Sequence, residues 1–374
     1  MRRSIQRIIT SHVGALPRPA GLPGLLPSKP DVPKVDVDTA VEDIVRMQRS
    51  HGVDVVGDGE FGKLGFLHYV RDRLSGMTER ALRPGEEHPT AAVARRDLEA
   101  FPGYFAARGG VFPFPIPVVA CTGPVRFVGH EAIASDIRRL QAAMAKCGAA
   151  EGFLTAISPQ TVELVMPNEH YSHSQDYLLA LADALHDEYQ AVTDAGLILQ
   201  IDDPGLAHAW QKDRSWSVAQ CREYCRQRVA VLNHALRHCP PERVRVHFCW
   251  GSYHGPHAAD LELRHFIDLL YEVNAECYSL EGANPRHEFE WIVFAEAKLP
   301  PGKSIMPGVV SHVADTVEHP ELVAQRLIRY AQQVGRENVI AGTDCGLMRV
   351  HPEICWAKLD SLAAGARLAS ERLW

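Results

Sequence analysis

The chain has 374 residues, 39 Lys and Arg against 46 Asp and Glu, and a net charge of −7. Its 46% hydrophobic and 23% charged content is that of a soluble globular protein, and without a Lys/Arg-rich run it is a poor match for nucleic acid or a membrane surface. No apolar stretch approaches the ~20 residues that span a bilayer, "MRRSIQRIITSH" is too short and polar for a secretory signal, and nine scattered cysteines point to reduced cytoplasmic thiols, not a disulfide framework.

Short β-branched runs predict strands at residues 8–13, 53–57, 118–121, 153–157, 197–202, 244–249, 277–281, 304–310 and 338–343. Amphipathic segments lie between them. "DYLLALADALHDEYQAVTDAG" puts Leu178, Leu181, Ala182, Leu185 and Tyr189 on one helical face, with Gly196 at its end. "HPELVAQRLIRYAQQVG" repeats the plan, with Pro320 near its start and Gly335 closing it. This βαβα alternation predicts an α/β fold with a parallel sheet, and the length suits a (β/α)8 TIM barrel formed by one domain, 1–374. Nine strand candidates compete for eight places, and the Pro-rich "FPFPIPVVA" run is the poorest of them. Residues of about 61–116 show no long period and are expected to form an insertion after the second strand, as a lid or an oligomer contact.

The run "VRVHFCWGSYHGPH" carries His247 and Cys249 near a strand end. Residues two apart in a strand project to the same side, so this pair can bite a borderline-soft cation. Alone, it reads equally as a buried thiol beside a hydrogen-bonded histidine. Two further strand ends alter the balance: "AECYSLEGANPRHE" ends on Glu281, and "ENVIAGTDCGLM" brings Cys345. Barrel sites are built at the carboxyl ends of strands, so these four are expected at one mouth. One nitrogen, two sulfurs and one oxygen suit zinc rather than magnesium or calcium.

The motifs "VHFCW", "YSLEG", "GTDCGL", "LQIDDPGLA", "VGDGEFGK" and "SHVGALPRP" resemble, in order and over nearly the whole chain, the catalytic half of cobalamin-independent methionine synthases. The resemblance implies a (β/α)8 barrel with Zn²⁺ held by His247, Cys249, Glu281 and Cys345. It also implies that Asp202 and Glu60 bind the amino group of homocysteine, since two carboxylates facing one ammonium make charge-assisted hydrogen bonds. Without the resemblance, Asp202 reads as a helix cap and Glu60 as a solvated loop charge. Four departures stand out. Ala15 replaces a serine of the family, and His12, three residues earlier, has no family counterpart and is a further pocket candidate. His312 falls one residue short of the family's proton-donating histidine and is the candidate general acid. The family's N-terminal half, which helps hold a polyglutamylated folate, has no counterpart here, so the alkyl donor, a methylated folate among the candidates, stays open.

The expected activity is transfer of a methyl group to a zinc-bound thiolate such as homocysteine, giving methionine. Metal binding deprotonates the thiol, and only the thiolate attacks carbon well. A related reading is an epoxyalkane:coenzyme M transferase, a thiol alkyltransferase that needs no ammonium site. Cations for a sulfonate, such as Arg18, Lys63 or Arg286, have no fixed place in the sequence. Two readings from other classes are a zinc hydrolase, disfavoured because two thiolates quench Lewis acidity, and a zinc-stapled scaffold. Cys221 and Cys225 in "CREYC" read as core thiols, and Tyr171, His173, Tyr253, His254 and His257 as polar loop residues near the mouth. A homo-oligomer is compatible with the insertion.

Overall fold

The computed structural model describes residues 1–22, 34–111 and 117–374. Among these residues ten strands form: β1 (Ile9–Thr10), β2 (Val55–Gly57), β3 (Met77–Arg80), β4 (Val118–Cys121), β5 (Glu151–Ile157), β6 (Ile198–Asp202), β7 (Val244–Phe248), β8 (Cys277–Leu280), β9 (Ser304–Val310) and β10 (Ile340–Thr343). Eight join by parallel pairing in the order β1-β10-β9-β8-β7-β6-β5-β2. The two ends of this sheet meet, because the Asp54 N–H donates to the Thr10 carbonyl at 3.1 Å and the Ser11 hydroxyl to the Val55 carbonyl at 3.1 Å. The result is a nearly closed (β/α)8 barrel, as the alternation predicts.

Strand alternation divides the side chains. Ile9, Val13, Val55, Phe153, Ile198, Cys277, Met306 and Ile340 pack together inside the barrel, while the opposite faces pack against helices. The helix Ser174–Asp194 buries Leu178, Leu181, Ala182, Leu185 and Tyr189 completely or nearly so, on the face its spacing predicts. Above the interior apolar layer the same inward stripes turn polar: Gln200 and Asp202 on β6, then Arg245, His247 and Cys249 on and just after β7. Arg245 is buried, lies 4.2 Å above the Phe153 ring, and donates to Gln200 Oε1 at 2.7 Å and to Ser11 Oγ at 3.1 Å. Burial draws its pKa down to about 10.

The ninth strand candidate, residues 118–121, forms β4 outside the barrel, antiparallel to β3. A strand fenced by proline cannot supply a full ladder in a central position, and an edge ribbon tolerates it. The Pro-rich run's residues 112–116 lie outside the described part. Between β2 and β5 the chain also forms short helices at Tyr69–Arg73, Arg95–Ala100 and Pro102–Arg108. This segment is anchored by buried Arg73, whose guanidinium reaches Asp136 and Glu188 on two barrel helices. Among the described residues no helix is long and apolar enough to cross a membrane.

Candidate metal centre

Each of the four expected metal ligands sits at or just past the carboxyl end of a strand. His247 lies in β7 with Cys249 directly after it; Glu281 follows β8; Cys345 comes two residues after β10. The structure brings three of the four expected ligands together: one donor atom each from His247, Cys249 and Cys345 lie within 4.8 Å of one another. His247 is buried; its Nδ1 lies 3.1 Å from the Ser279 hydroxyl, and its Nε2 makes no hydrogen bond among the described residues. A partner on one ring nitrogen that leaves the other free is how a ligating histidine is oriented.

The thiols share their proton unequally. A hydrogen bond from Cys249 holds Cys345 well below the usual thiol range, against the effect of burial, and drives Cys249 well above it. Burial would lower the His247 pKa, and the adjacent Cys345 sulfur more than reverses it, although that sulfur makes no directed hydrogen bond with Nε2. An orphaned buried imidazole nitrogen beside a thiol and a sulfur poised as thiolate fits Zn²⁺, whose usual donors are these.

Glu281 stands apart from this trio. Its Oε1 accepts from the Trp250 N–H at 2.8 Å and its Oε2 from Asn284 Nδ2 at 2.5 Å. It groups instead with His312 and Asp344, one donor atom from each lying within 4.8 Å of the others. Asp344, which the sequence reading did not use, fixes this region: its Oδ1 accepts from the Gly282 and Ala283 N–H groups, both at 2.8 Å. β9 approaches it so closely that a Cβ on Gly308 would lie 2.4 Å from the Asp344 Cα, which leaves room only for glycine. His312 is buried, and neither ring nitrogen has a hydrogen-bond partner among the described residues.

A cavity of about 930 Å³ opens over the trio. Glu60, Asp202, His247, Cys249, His312 and Cys345 all line it. Its other walls are largely apolar, and Phe66, Leu67 and Val93 from the β2–β5 segment contribute to them. Glu60 holds a left-handed backbone, φ +62°, a conformation costly for a non-glycine residue and frequent at functional sites. Its Oε1 accepts from the Thr155 hydroxyl at 3.1 Å, and that hydroxyl accepts from buried Lys63 Nζ at 2.9 Å. Thr155 was missed in the sequence, and Lys63 was named there only as a candidate cation for a sulfonate. Thr155 was detectable as a polar residue two after inward-facing Phe153, whereas nothing local marks Lys63. Asp202 is buried, and burial raises its pKa to about 7, with His247 opposing the shift.

His12 is the candidate that the structure keeps off this cavity's lining. Gly14 N–H donates to its Nδ1 at 3.2 Å, so the proton sits on Nε2 and goes to Gln48 Oε1 at 2.7 Å. His12 lies just past β1, and its ring reaches Gln48 on the helix Val37–Ser50 while packing edge-on against interior Phe153, 5.1 Å between ring centres. Arg18 donates to the Glu60 and Lys63 carbonyls at 2.8 and 2.6 Å. Cys221 and Cys225 are core thiols, and Tyr171 accepts from the Val125 N–H, away from the mouth.

Residues 125–367 match the family model of the catalytic domain of cobalamin-independent synthases. The chain is 26% identical over 223 residues to a methionine synthase of Saccharolobus islandicus strain L.S.2.15, covering 59% of each. It thus spans under two thirds of that relative's length. A methionine synthase of Sulfolobus acidocaldarius aligns over all of this chain and 95% of its own, at 22% identity. Among solved structures, a B12-independent methionine synthase from Shewanella sp. W3-18-1 in complex with selenomethionine superposes with a TM-score of 0.74 at 20% identity, covering 98% of this chain and 99% of that one. A putative vitamin-B12-independent methionine synthase from Listeria monocytogenes gives 0.63 at 19%, with the same coverage. With more than half its residues matched, the chain belongs to the cobalamin-independent synthase catalytic-domain family.

Proposed function

We propose that the protein transfers a methyl group to the sulfur of homocysteine, giving methionine, with Zn²⁺ held by His247, Cys249 and Cys345. The observation that carries this reading is one cavity that joins a His/Cys/Cys trio to two carboxylates, Glu60 and Asp202. Zinc bound there would keep the substrate sulfur as a thiolate at neutral pH. With Glu281 engaged by Trp250 and Asn284, zinc held by the three remaining donors would have a position left for that sulfur.

Glu60 and Asp202 bind the α-ammonium, whose charge favours the ionised form of Asp202 that burial opposes. Thr155 and Lys63 position Glu60 through their shared hydroxyl contact. The sulfur lone pair forms the new S–C bond as the methyl's bond to the donor breaks. His312 gives a proton to the atom that keeps those electrons. Phe66, Leu67 and Val93 shield the reacting atoms from water. A methylated folate is one donor class for this scheme. Two carboxylates in the cavity repel a sulfonate, which sets coenzyme M second.

Melting temperatures of the zinc-loaded protein test the acceptor. Homocysteine is expected to raise the melting temperature, and coenzyme M or a thiol without an amino group to raise it much less. A larger rise with coenzyme M would replace the reading with thiol alkylation on a sulfonate-bearing acceptor.

A further inference from the structure

A second cavity, about 810 Å³, is also lined by His312. His312, Gly251 and Tyr253 line both cavities, so the two adjoin at these residues. The remaining walls come from the helix Pro102–Arg108, the loop after β7 and the turn after β8. Tyr104 on that helix donates to the His254 carbonyl at 3.2 Å, so the β2–β5 segment roofs the space.

The ionisable lining is lopsided. Among the described residues Glu281 is the only carboxylate side chain in it, and its oxygens are already engaged by Trp250 and Asn284. Against it stand two guanidinium groups, Arg108 and Arg286, and several imidazoles. Two of those imidazoles are matched from behind the wall: Asp260 lies 2.8 Å from His257 and 3.2 Å from His287. The guanidiniums are not so matched. Arg286 donates to a neutral acceptor, the Asp260 carbonyl, at 3.0 Å, and its buried Nε has no hydrogen-bond partner among the described residues. Arg108 lies 5.4 Å from the Tyr104 ring centre, and neither arginine forms an ion pair among the described residues. His312, buried and with both nitrogens unpartnered among the described residues, faces the same space. Unmatched guanidiniums around a volume far larger than one ion call for an organic anion.

We propose that this second cavity binds an organic ligand bearing a carboxylate, sulfonate or phosphate, held by Arg286 and Arg108. Resting on the reaction proposed above, that ligand is the alkyl donor, and its leaving half lies beside His312.

Calorimetric titration of the zinc-loaded chain tests this, with succinate, ethanesulfonate and inorganic phosphate as probes and succinamide as the neutral control. At least one anion is expected to bind, and succinamide is not. Arg286→Met should weaken anion binding about tenfold or more, the loss that removing a charged hydrogen bond implies. Arg286→Lys should recover part of it, and Arg108→Ala, at an exposed position, should weaken it without disturbing the fold. Equal binding of succinamide, or anion affinity unchanged in both Arg286→Met and Arg108→Ala, would overturn the assignment. Arg286-dependent anion binding by a protein whose zinc accepts no homocysteine sulfur would support the anion site and remove the methyl-transfer reading instead.

Discussion

Replacing Thr155 by valine keeps a branched side chain of nearly the same shape and deletes one hydroxyl. In the structure that hydroxyl donates to Glu60 Oε1 at 3.1 Å and accepts from Lys63 Nζ at 2.9 Å. Lys63 keeps a second acceptor, the Thr155 carbonyl, so the loss falls mainly on Glu60. A hydrogen bond to a charged group contributes about 1.5–3 kcal/mol, and the lower end corresponds to a factor of ten in affinity. The expected result is a KM for homocysteine about tenfold higher at nearly unchanged kcat, since Thr155 does not touch the reacting atoms. Thr155→Ser should restore the KM, and a thiol lacking the amino group should bind wild type and Thr155→Val alike. If kcat fell while KM held, or if both thiols weakened equally, Thr155 would be a packing residue and the positioning argument would be wrong.

Three further perturbations have defined outcomes. Cys345→Ser should abolish zinc retention after dialysis, measured by elemental analysis, and full retention would remove Cys345 from the ligand set. Burial lowers the pKa of both His12 and His208 to about 4, so the fold favours their neutral forms. Their stabilising contribution is complete above pH ~6.5 and is lost as pH falls towards 4, amounting to as much as ~3 kcal/mol for each; His12→Gln should shrink the acid-induced loss in urea unfolding at pH 4.5 relative to pH 7, and an unchanged loss would contradict it. Gly251 has φ +92°, and a Cβ there would lie 2.6 Å from His208 Nε2. Gly251→Ala should therefore destabilise the protein by about 1–3 kcal/mol in chemical unfolding, and a neutral effect would show that the loop after β7 yields freely.

Much of the site was legible because a strand repeats every two residues. The inward stripes Ile198–Gln200–Asp202 and Cys277–Ser279–Glu281 climb from apolar to polar, and His247 and Cys249 continue from Arg245 in the same way. His12, read from the sequence as a pocket candidate, is absent from the cavity lining and hydrogen-bonds Gln48 instead. What the sequence hid depends on turns that bring distant segments together. Glu281 belongs by its strand to the metal mouth, yet the turn after β8 sets Asn284 beside it and the Trp250 N–H claims its other oxygen. Asp344 was visible next to Cys345, but its role as acceptor for the Gly282 and Ala283 N–H groups needs the packing of β9 through Gly308. The β3–β4 ribbon was hidden for a related reason: residues 77–80 read as loop until residues 118–121 supply a partner.

X-ray absorption at the zinc edge, recorded with and without homocysteine, tests the central claim most directly. The account predicts a sulfur shell supplied by Cys249 and Cys345 that gains one further sulfur neighbour when homocysteine is added. A sulfur count unchanged by homocysteine, or a first shell of nitrogen and oxygen alone, would contradict it.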